Sequence, residues 1–573
     1  MALQGRRLFG GLALALLAQS GWAQTASQIT PENFRPMLAP ATGGIVIPAS
    51  EGLQTPKGAE KLHVRLKGVQ IEGDLPALKA ASSAITASLA GHTVTAATIF
   101  KAAHDLEVNY ARAGYVLVRV ILPAQTLNNG AILRLVVVDG FIDQIDAKAV
   151  PQRVRSRVLA VLAPLQGRRS LQMSSIERQL TLASRVPGLV LRSTLLHGKV
   201  PGATTLVVDG LYHPVNMTMS TDNTMSAALG RVNSTLGFSF NSVAGLGEQV
   251  YGQIGGHPDG NMAGNDPRNR QLALGVILPL GTDGLDFNLE AATTAATPLP
   301  VPGGLTYASR FQRLSLRLDY PWIVTRNLTL SSQWALDAQD ESLSSLAPVA
   351  APLSQDRLRI FRTNVSLNYL NSINGQFYGR LTASQGVNGL GARTVADATP
   401  LLPLSRLGAR ADFHKLDVVA SYQQPLMAHL AVHVQARAQT AFGEALPVSE
   451  QIGIADGAAL SSFDAGSLTG DDGAALRGEL VSPWIWDASA AHFGVIAAPY
   501  VFGALGTLHL AQPTALERAN VNVGAFGLGL RLNGGPAAPN PLQSALEIEY
   551  GRQARNDGQR AENRLTIAGH LSF

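Results

Sequence analysis

The chain is 573 residues long, 46% apolar but only 15% charged, with a formal net charge of +5 and no cysteine. Its mean hydropathy is slightly positive at +0.12. Past the N-terminus no stretch reaches the roughly 18 uninterrupted apolar residues of a spanning helix, which argues against a helical membrane protein. The absence of thiols excludes thiolate catalysis and cysteine metal sites.

At the N-terminus, Arg6 and Arg7 precede an apolar run from Leu8 to Ala18 and the small residues Ser20, Gly21 and Ala23. This is the pattern of a secretory signal peptide over residues 1–23. Residues 24–60 are rich in Pro, Gly, Ala and Thr and read as a linker. Pro31, Pro36, Pro40, Pro48 and Pro56 make a long helix there unfavourable.

Residues 61–140 predict a β-α-α-β-β unit. His63 to Ile71 alternates like a strand, and a helix follows from Leu75 to about Ala90. In the next helix Ile99, Ala103, Leu106 and Tyr110 share a face, with Thr95 as N-cap and Gly114 as left-handed stop. Tyr115–Leu122 and Ala131–Val138 complete the unit as strands. Residues 141–212 repeat the order, with Pro151 at a helix start and Pro187-Gly188 ending the second helix.

From Pro214 helical periodicity gives way to alternating segments punctuated by Gly, Asn, Asp and Pro. Sixteen strands are predicted over 213–573: 213–223, 231–242, 246–257, 268–279, 284–296, 308–320, 326–338, 357–371, 374–386, 408–422, 428–441, 474–486, 491–504, 519–532, 541–552 and 562–573. An even number suits a closed transmembrane barrel. The longest connection, residues 442–473, falls between the eleventh and twelfth strands, and a connection of that length is usually functional. In the last segment Leu565, Ile567, Leu571 and Phe573 alternate with Arg564, Thr566, His570 and Ser572, as in a strand with one face in lipid.

Charge is uneven. Residues 141–212 hold ten Lys/Arg against four Asp/Glu, whereas residues 213–573 hold 23 against 28. The surplus makes the second unit electropositive, either as a solvated surface or to attract an acidic polypeptide or lipid headgroups. His429 and His433 sit in a strand pattern, about 13 Å apart at strand rise, too far for one metal. Trp334, Tyr378, Trp484 and Trp486 suit interfacial aromatic girdles. No elbow motif or phosphate loop is present, so no enzyme, metal or cofactor is expected.

Several motifs resemble those of two-partner secretion transporters of the hemolysin-secretion/filamentous-hemagglutinin type, from the superfamily of the barrel-assembly insertase. The stretch Asn109-Tyr110-Ala111-Arg112-Ala113-Gly114-Tyr115, with Arg119, Pro123-Ala124-Gln125 and Gly130, is similar to the family's first POTRA (polypeptide-transport-associated) module. Val215-Asn216 through Thr221-Asp222-Asn223 resembles its barrel start. Leu446 to Gln451 and Leu468 to Gly473 resemble the two ends of its long lumenal loop, and Arg477-Gly478-Glu479-Leu480 its next strand.

The resemblance implies two α+β POTRA modules, at 61–140 and 141–212, ahead of a 16-stranded outer-membrane barrel. The modules lie in the periplasm and capture an unfolded secreted exoprotein, which the barrel exports. It implies Tyr115, Arg119, Pro123 and Gln125, joined on charge grounds by Arg153, Arg155, Arg157 and Arg192, as cargo-binding positions. It implies Phe573 as the signal read by the barrel-assembly machinery, lipid as surroundings, a monomer, and no nucleic-acid partner. An insertase of the same superfamily and a passive porin-like channel are the alternatives.

The lumenal loop departs from the family pattern. Its tip usually reads Val-Arg-Gly-Tyr, and the arginine pairs with a wall aspartate; here the tip is Leu460-Ser461-Ser462-Phe463 and the wall position is Ala504. Gly470, Asp471 and Gly473 keep the loop's exit. Losing both charges avoids leaving one unpaired. The loop is then held by packing through Phe463, or the latch has been lost, or the true positions lie a few residues away. A plug helix is not expected beyond a short piece near Glu32–Leu38.

Overall fold

The computed structural model describes residues 24–36, 45–46, 55–300, 304–488, 493–536 and 542–573. The expected signal peptide lies outside the described residues.

The first α/β unit forms a four-stranded sheet in the order 93–95, 63–72, 131–138, 119–121, covered by helices Lys79–Leu89 and Ala96–Arg112. Its core gathers Leu66, Ile99, Leu106, Tyr110, Leu133 and Leu135, all under 3% exposed. The second unit packs helices Gln152–Leu162 and Met173–Ser184 on strands Phe141–Ala149, Leu189–His197 and Ala203–Tyr212. Residues Ile45–Val46 run parallel to the outer edge of Leu189–His197.

Sixteen antiparallel strands then close into a barrel. Strands 1 to 8 are Val215–Asp222, Asn233–Asn241, Gln249–Gly256, Asn269–Leu280, Leu285–Ala296, Thr306–Val324, Leu328–Ala347 and Ala351–Leu370. Strands 9 to 16 are Gln376–Gly386, His414–Met427, Leu430–Thr440, Asp472–Val481 (continued by Trp484–Ala488), Phe493–His509, Asn520–Pro536, Gln543–Arg555 and Asn563–Ser572. Each expected segment corresponds to one strand. Closure removes every sheet edge, the condition for a sheet to stand in lipid.

The last strand closes on the first: Ala568–Ser572 pair with Thr218–Asp222, and Phe573 and Met217 exchange main-chain bonds of 2.7 and 3.0 Å. Leu565, Ile567, Leu571 and Phe573 face outward, while Arg564 and Thr566 turn inward to residues 464 and 461 of the long loop. The same alternation runs along strand 6, with Leu314, Leu316 and Leu318 outside and Arg313, Ser315 and Arg317 inside. Strands 6 to 8, at 19–20 residues, exceed the roughly 9–11 needed to cross a bilayer and project beyond it. Turns at the end carrying the α/β units are short, as at 281–284 and 325–327. The far end carries the longest connections, 387–413 and 441–471, although strands 7 and 8 are joined there by residues 348–350 alone.

Candidate functional site

The lumen is filled by two segments that are not part of its wall. The first is residues 24–36. Pro31 and Pro36 withhold two main-chain donors, and the segment contains only a single 3-10 turn, Ser27–Ile29. An extended chain must find main-chain partners elsewhere, and here the wall supplies them. Ala26 N–H donates to Ser309 Oγ at 2.9 Å, and Phe34 N–H donates to Glu290 Oε2 at 3.0 Å. The Ile29 carbonyl accepts from Gln271 at 2.7 Å and the Pro31 carbonyl from Arg313 at 3.1 Å.

Side chains fix the segment's register. Ser27 donates to Glu341 at 2.7 Å. Glu32 bridges Arg380 at 2.7 Å and Arg437 at 3.1 Å. Phe34 packs on Tyr251, Ala273, Ile277 and Ala292. Arg35 meets Asp319 at 2.9 Å near the end that carries the α/β units, while Gln24 meets Ala465 and Ser226 at the far end. The segment thus runs the length of the lumen, leaving a cavity of about 810 Å³ beside it. Residues 24–36, which include Glu32–Pro36 of the short piece expected near Glu32–Leu38, occupy the lumen as an extended thread with one 3-10 turn and no α-helix. Residues 37 and 38 lie outside the described residues.

The second segment is the long loop. At its base the buried Asp471 carboxylate gathers Arg406, the amides of Leu446 (3.0 Å) and Ala511 (2.8 Å), and Gln451. Asp472 ties Thr440 and Ala441 at 2.8 Å each. A little further in, buried Glu450 takes Arg362 at 2.6 Å and Lys415 at 3.0 Å from the wall. Thr469–Gly470 pairs with Ile452–Gly453 to form the loop's small ribbon.

At the tip Leu460 and Phe463 are buried in an apolar cluster with Ile454, Tyr500, Phe502 and Ala504. Gly506 and Gly551 make room: a Cβ on the former would meet Leu460 at 2.8 Å, and on the latter Ser462 Oγ at 2.1 Å. Ser461 lies between two wall charges. It donates to Glu549 and accepts from Arg477 at 2.6 Å, and Arg477 also binds Glu549 at 2.5 Å and Glu479 at 2.7 Å. Arg531 joins Glu479 at 2.6 Å. Arg477 is directly opposite Ala504 in the ladder, so the expected loop-tip and wall positions, Ser461 and Ala504, meet at one place. The loop is held by packing through Leu460 and Phe463, and by a neutral hydroxyl set into a wall-borne ion network.

A family model described as haemolysin secretion/activation protein ShlB/FhaC/HecB matches residues 206–532, and a ShlB-type POTRA domain model matches residues 64–140. The chain belongs to the haemolysin secretion/activation family. It is a two-partner secretion transporter of the outer membrane, and the role of its family is the translocation of a partner protein. Its fold is similar to that of CdiB from Escherichia coli, at 18% identity and a TM-score of 0.69, covering 100% of this chain and 99% of that one. CdiB from Acinetobacter baumannii gives 14% identity and a TM-score of 0.60, with 100% and 98% covered. BamA from Haemophilus ducreyi lacking POTRA domains 1–3 gives 12% identity and a TM-score of 0.50, with 89% and 100% covered. No curated protein matches the sequence.

In this transporter the POTRA motif residues serve the fold. The Tyr115 amide returns to the Tyr110 carbonyl at 2.9 Å and the Gly114 amide to Ala111 at 3.0 Å, with Gly114 at φ +93°. This is the double hydrogen bond of a left-handed helix stop, and the two tyrosine rings meet edge-on at 6.5 Å as its apolar clasp. Burial and a hydrogen bond to Asp74 push the Tyr110 hydroxyl up to about 12. Arg119 folds onto the carbonyls of Val116 and Val118.

Pro123 follows the end of strand Arg119–Ile121, and Gln125 then takes over its pairing. The Gln125 side chain bonds both the carbonyl and the amide of Arg134, at 2.8 and 2.9 Å. Gln125→Ala is expected to free that amide and cost about 1–2 kcal/mol. Hydrogen exchange should show faster exchange at Arg134 with little change at Leu66.

The basic surplus of the second unit has a use that charge counting did not suggest. Arg178 donates to the carbonyls of Pro321 (3.0 Å), Trp322 (3.2 Å) and Asp283 (3.1 Å), and Arg157 to that of Gly281 at 2.5 Å. Gly281 and Asp283 lie in a barrel turn, and Pro321 and Trp322 near the end of strand 6, so both arginines dock the unit to the pore. Arg155 binds the carbonyls of Val150 and Lys148 within its own unit. Arg153 and Arg192 are exposed. His429 stacks on Trp484 at 4.1 Å, and His433 faces Glu479 at 3.4 Å.

Proposed function

We propose that this transporter captures an unfolded exoprotein in the periplasm with residues 61–212, a pair of POTRA modules, and passes it through the lumen once residues 24–36 and the loop tip have moved aside. The filling of the lumen by two non-wall segments carries this reading. A passive porin has no use for a thread and a clamped loop in its channel. The short turns beside the modules and the long far connections match the periplasmic and extracellular ends of known barrels.

Capture by strand addition to an exposed sheet edge gives affinity through main-chain bonds without demanding one sequence. Among the expected cargo positions, Tyr115, Arg153 and Arg192 retain exposed or half-exposed side chains, while Pro123 and Gln125 shape the edge. Phe573 is the barrel-insertion signal and the chain works as a monomer. Export is tested by co-expression with a candidate secreted partner protein. Secretion is expected from the intact chain and is lost on removal of residues 61–212; normal secretion by the deletion would sink the capture step.

The latch positions have their own test. Ser461→Ala removes the hydroxyl shared by Glu549 and Arg477 but keeps the packing of Leu460 and Phe463. It is expected to raise the frequency of brief openings in planar bilayers several-fold while leaving barrel unfolding within about 1–2 kcal/mol of the parent. An unchanged opening frequency would assign the hold to packing alone.

A further inference from the structure

We infer that one wall of the lumen, across strands 4 to 7, is a track that binds the main chain of an extended polypeptide, and that residues 24–36 are its resting occupant. This rests on the export reading, since the working occupant is the exoprotein in transit. Each protein bond to the thread's backbone from this wall reads a peptide group and not a residue type. Gln271 and Arg313 take carbonyls, while Ser309 and Glu290 take amides. All four side chains are under 9% exposed and belong to rigid strands.

Main-chain recognition is what a pore for a long, varied sequence requires. Every residue of a passing chain presents the same amide and carbonyl, so the thread can be replaced by the next extended segment without redesigning the wall. Spare capacity lies on the same surface. Ser315 Oγ, Gln339 Oε1 and Arg313 Nε are buried without a protein partner. Two side-chain subsites sit beside the track, the Arg380–Arg437 pair filled by Glu32 and the apolar pocket filled by Phe34. An extended segment with a carboxylate two residues before a large apolar side chain fits both.

Two measurements on the full-length chain decide this. Glu32→Lys sets a third cation beside Arg380 and Arg437 and frees the thread. Open channels of that variant are then offered three 13-residue peptides: the sequence of residues 24–36, a shuffled version, and the parent N-methylated at the positions of Ala26 and Phe34. The parent and shuffled peptides are expected to block within a few-fold of each other. The N-methylated peptide, short of two donors, is expected to block roughly ten-fold or more weakly. Equal block by the N-methylated peptide, or no block by any, would overturn the track.

The second measurement combines Ser309→Ala with Gln271→Leu and reads conductance and export together. If the wall only holds the plug, conductance rises and export is unchanged or faster. A track gives higher conductance with export several-fold slower per folded barrel, folding being scored by heat-modifiable mobility. Should the parent chain export no partner at all, the export reading fails and the cargo role of the track falls with it. The peptide series would still report on main-chain binding.

Discussion

Arg477→Ala is expected to be among the most damaging single substitutions in the barrel wall. The guanidinium is 1% exposed and is held by Glu479, Glu549 and Ser461, with its face on the Phe502 ring at 4.0 Å. Removing it leaves Glu479 with Arg531 but strips Glu549 of its cation, in a site closed by the loop tip. A buried charge that loses its partner costs about 3–5 kcal/mol, and the loss of the stacked planar group adds to this. Urea unfolding in detergent, followed by mobility shift, should show a drop of that size. The double variant with Glu549→Gln should recover part of the loss, because the amide can still bond Ser461 and Tyr500 without carrying an unpaired charge. Purely additive effects would mean that the two residues do not act as a unit.

The sixteen strands were legible because lipid imposes a strict rule on one face. Wherever that rule lapsed, the expected bounds fell short. Strand 7 runs Leu328–Ala347 against an expected 326–338, and strand 8 begins at Ala351 against 357. The missing pieces project beyond the bilayer, where both faces are wet and alternation has no cause. The Tyr110–Gly114–Tyr115 stop was also legible, since a left-handed glycine one turn past an amphipathic run has a local mechanism.

The thread and the wall partners of the lumenal loop were not legible, for a different reason. An inward polar residue reads the same whether it meets water, a thread or a loop. Ser461 was expected at the loop tip, but the charges it meets there come from Arg477 and Glu549, 72 positions apart in sequence and brought together only by the fold. The prolines of residues 24–36 argue correctly against a helix. They do not argue against a plug, because a wall able to bond main chain needs no helix to satisfy it. Net charge was no guide to docking either: Arg157 and Arg178 count as a basic surface until their targets are seen, main-chain carbonyls of the barrel and, for Arg178, the Asp283 carboxylate.

Glu32→Lys is expected to open the pore and make it anion-selective. In the closed arrangement the Glu32 carboxylate is the ion-pair partner of Arg380, and it shares Arg437 with Asp456, which stands further off at 3.8 Å. The Glu32 side chain is half exposed within the lumen, so its two ion pairs are discounted for screening to about 1–2 kcal/mol in all. That is roughly a ten-fold shift toward the open state on neutralisation to Gln, and the lysine adds repulsion from two guanidinium groups. Once the thread leaves, Arg380 and Arg437 face the open channel near Lys415, and the potential there favours anions. Both effects should weaken at 1 M salt, where the screening length is about 3 Å. Adding Arg380→Glu to Glu32→Lys restores opposite charges and should restore closure. If Glu32→Lys leaves conductance and selectivity unchanged, the thread is not the element that closes this pore, and the loop tip around Ser461 must carry the seal alone.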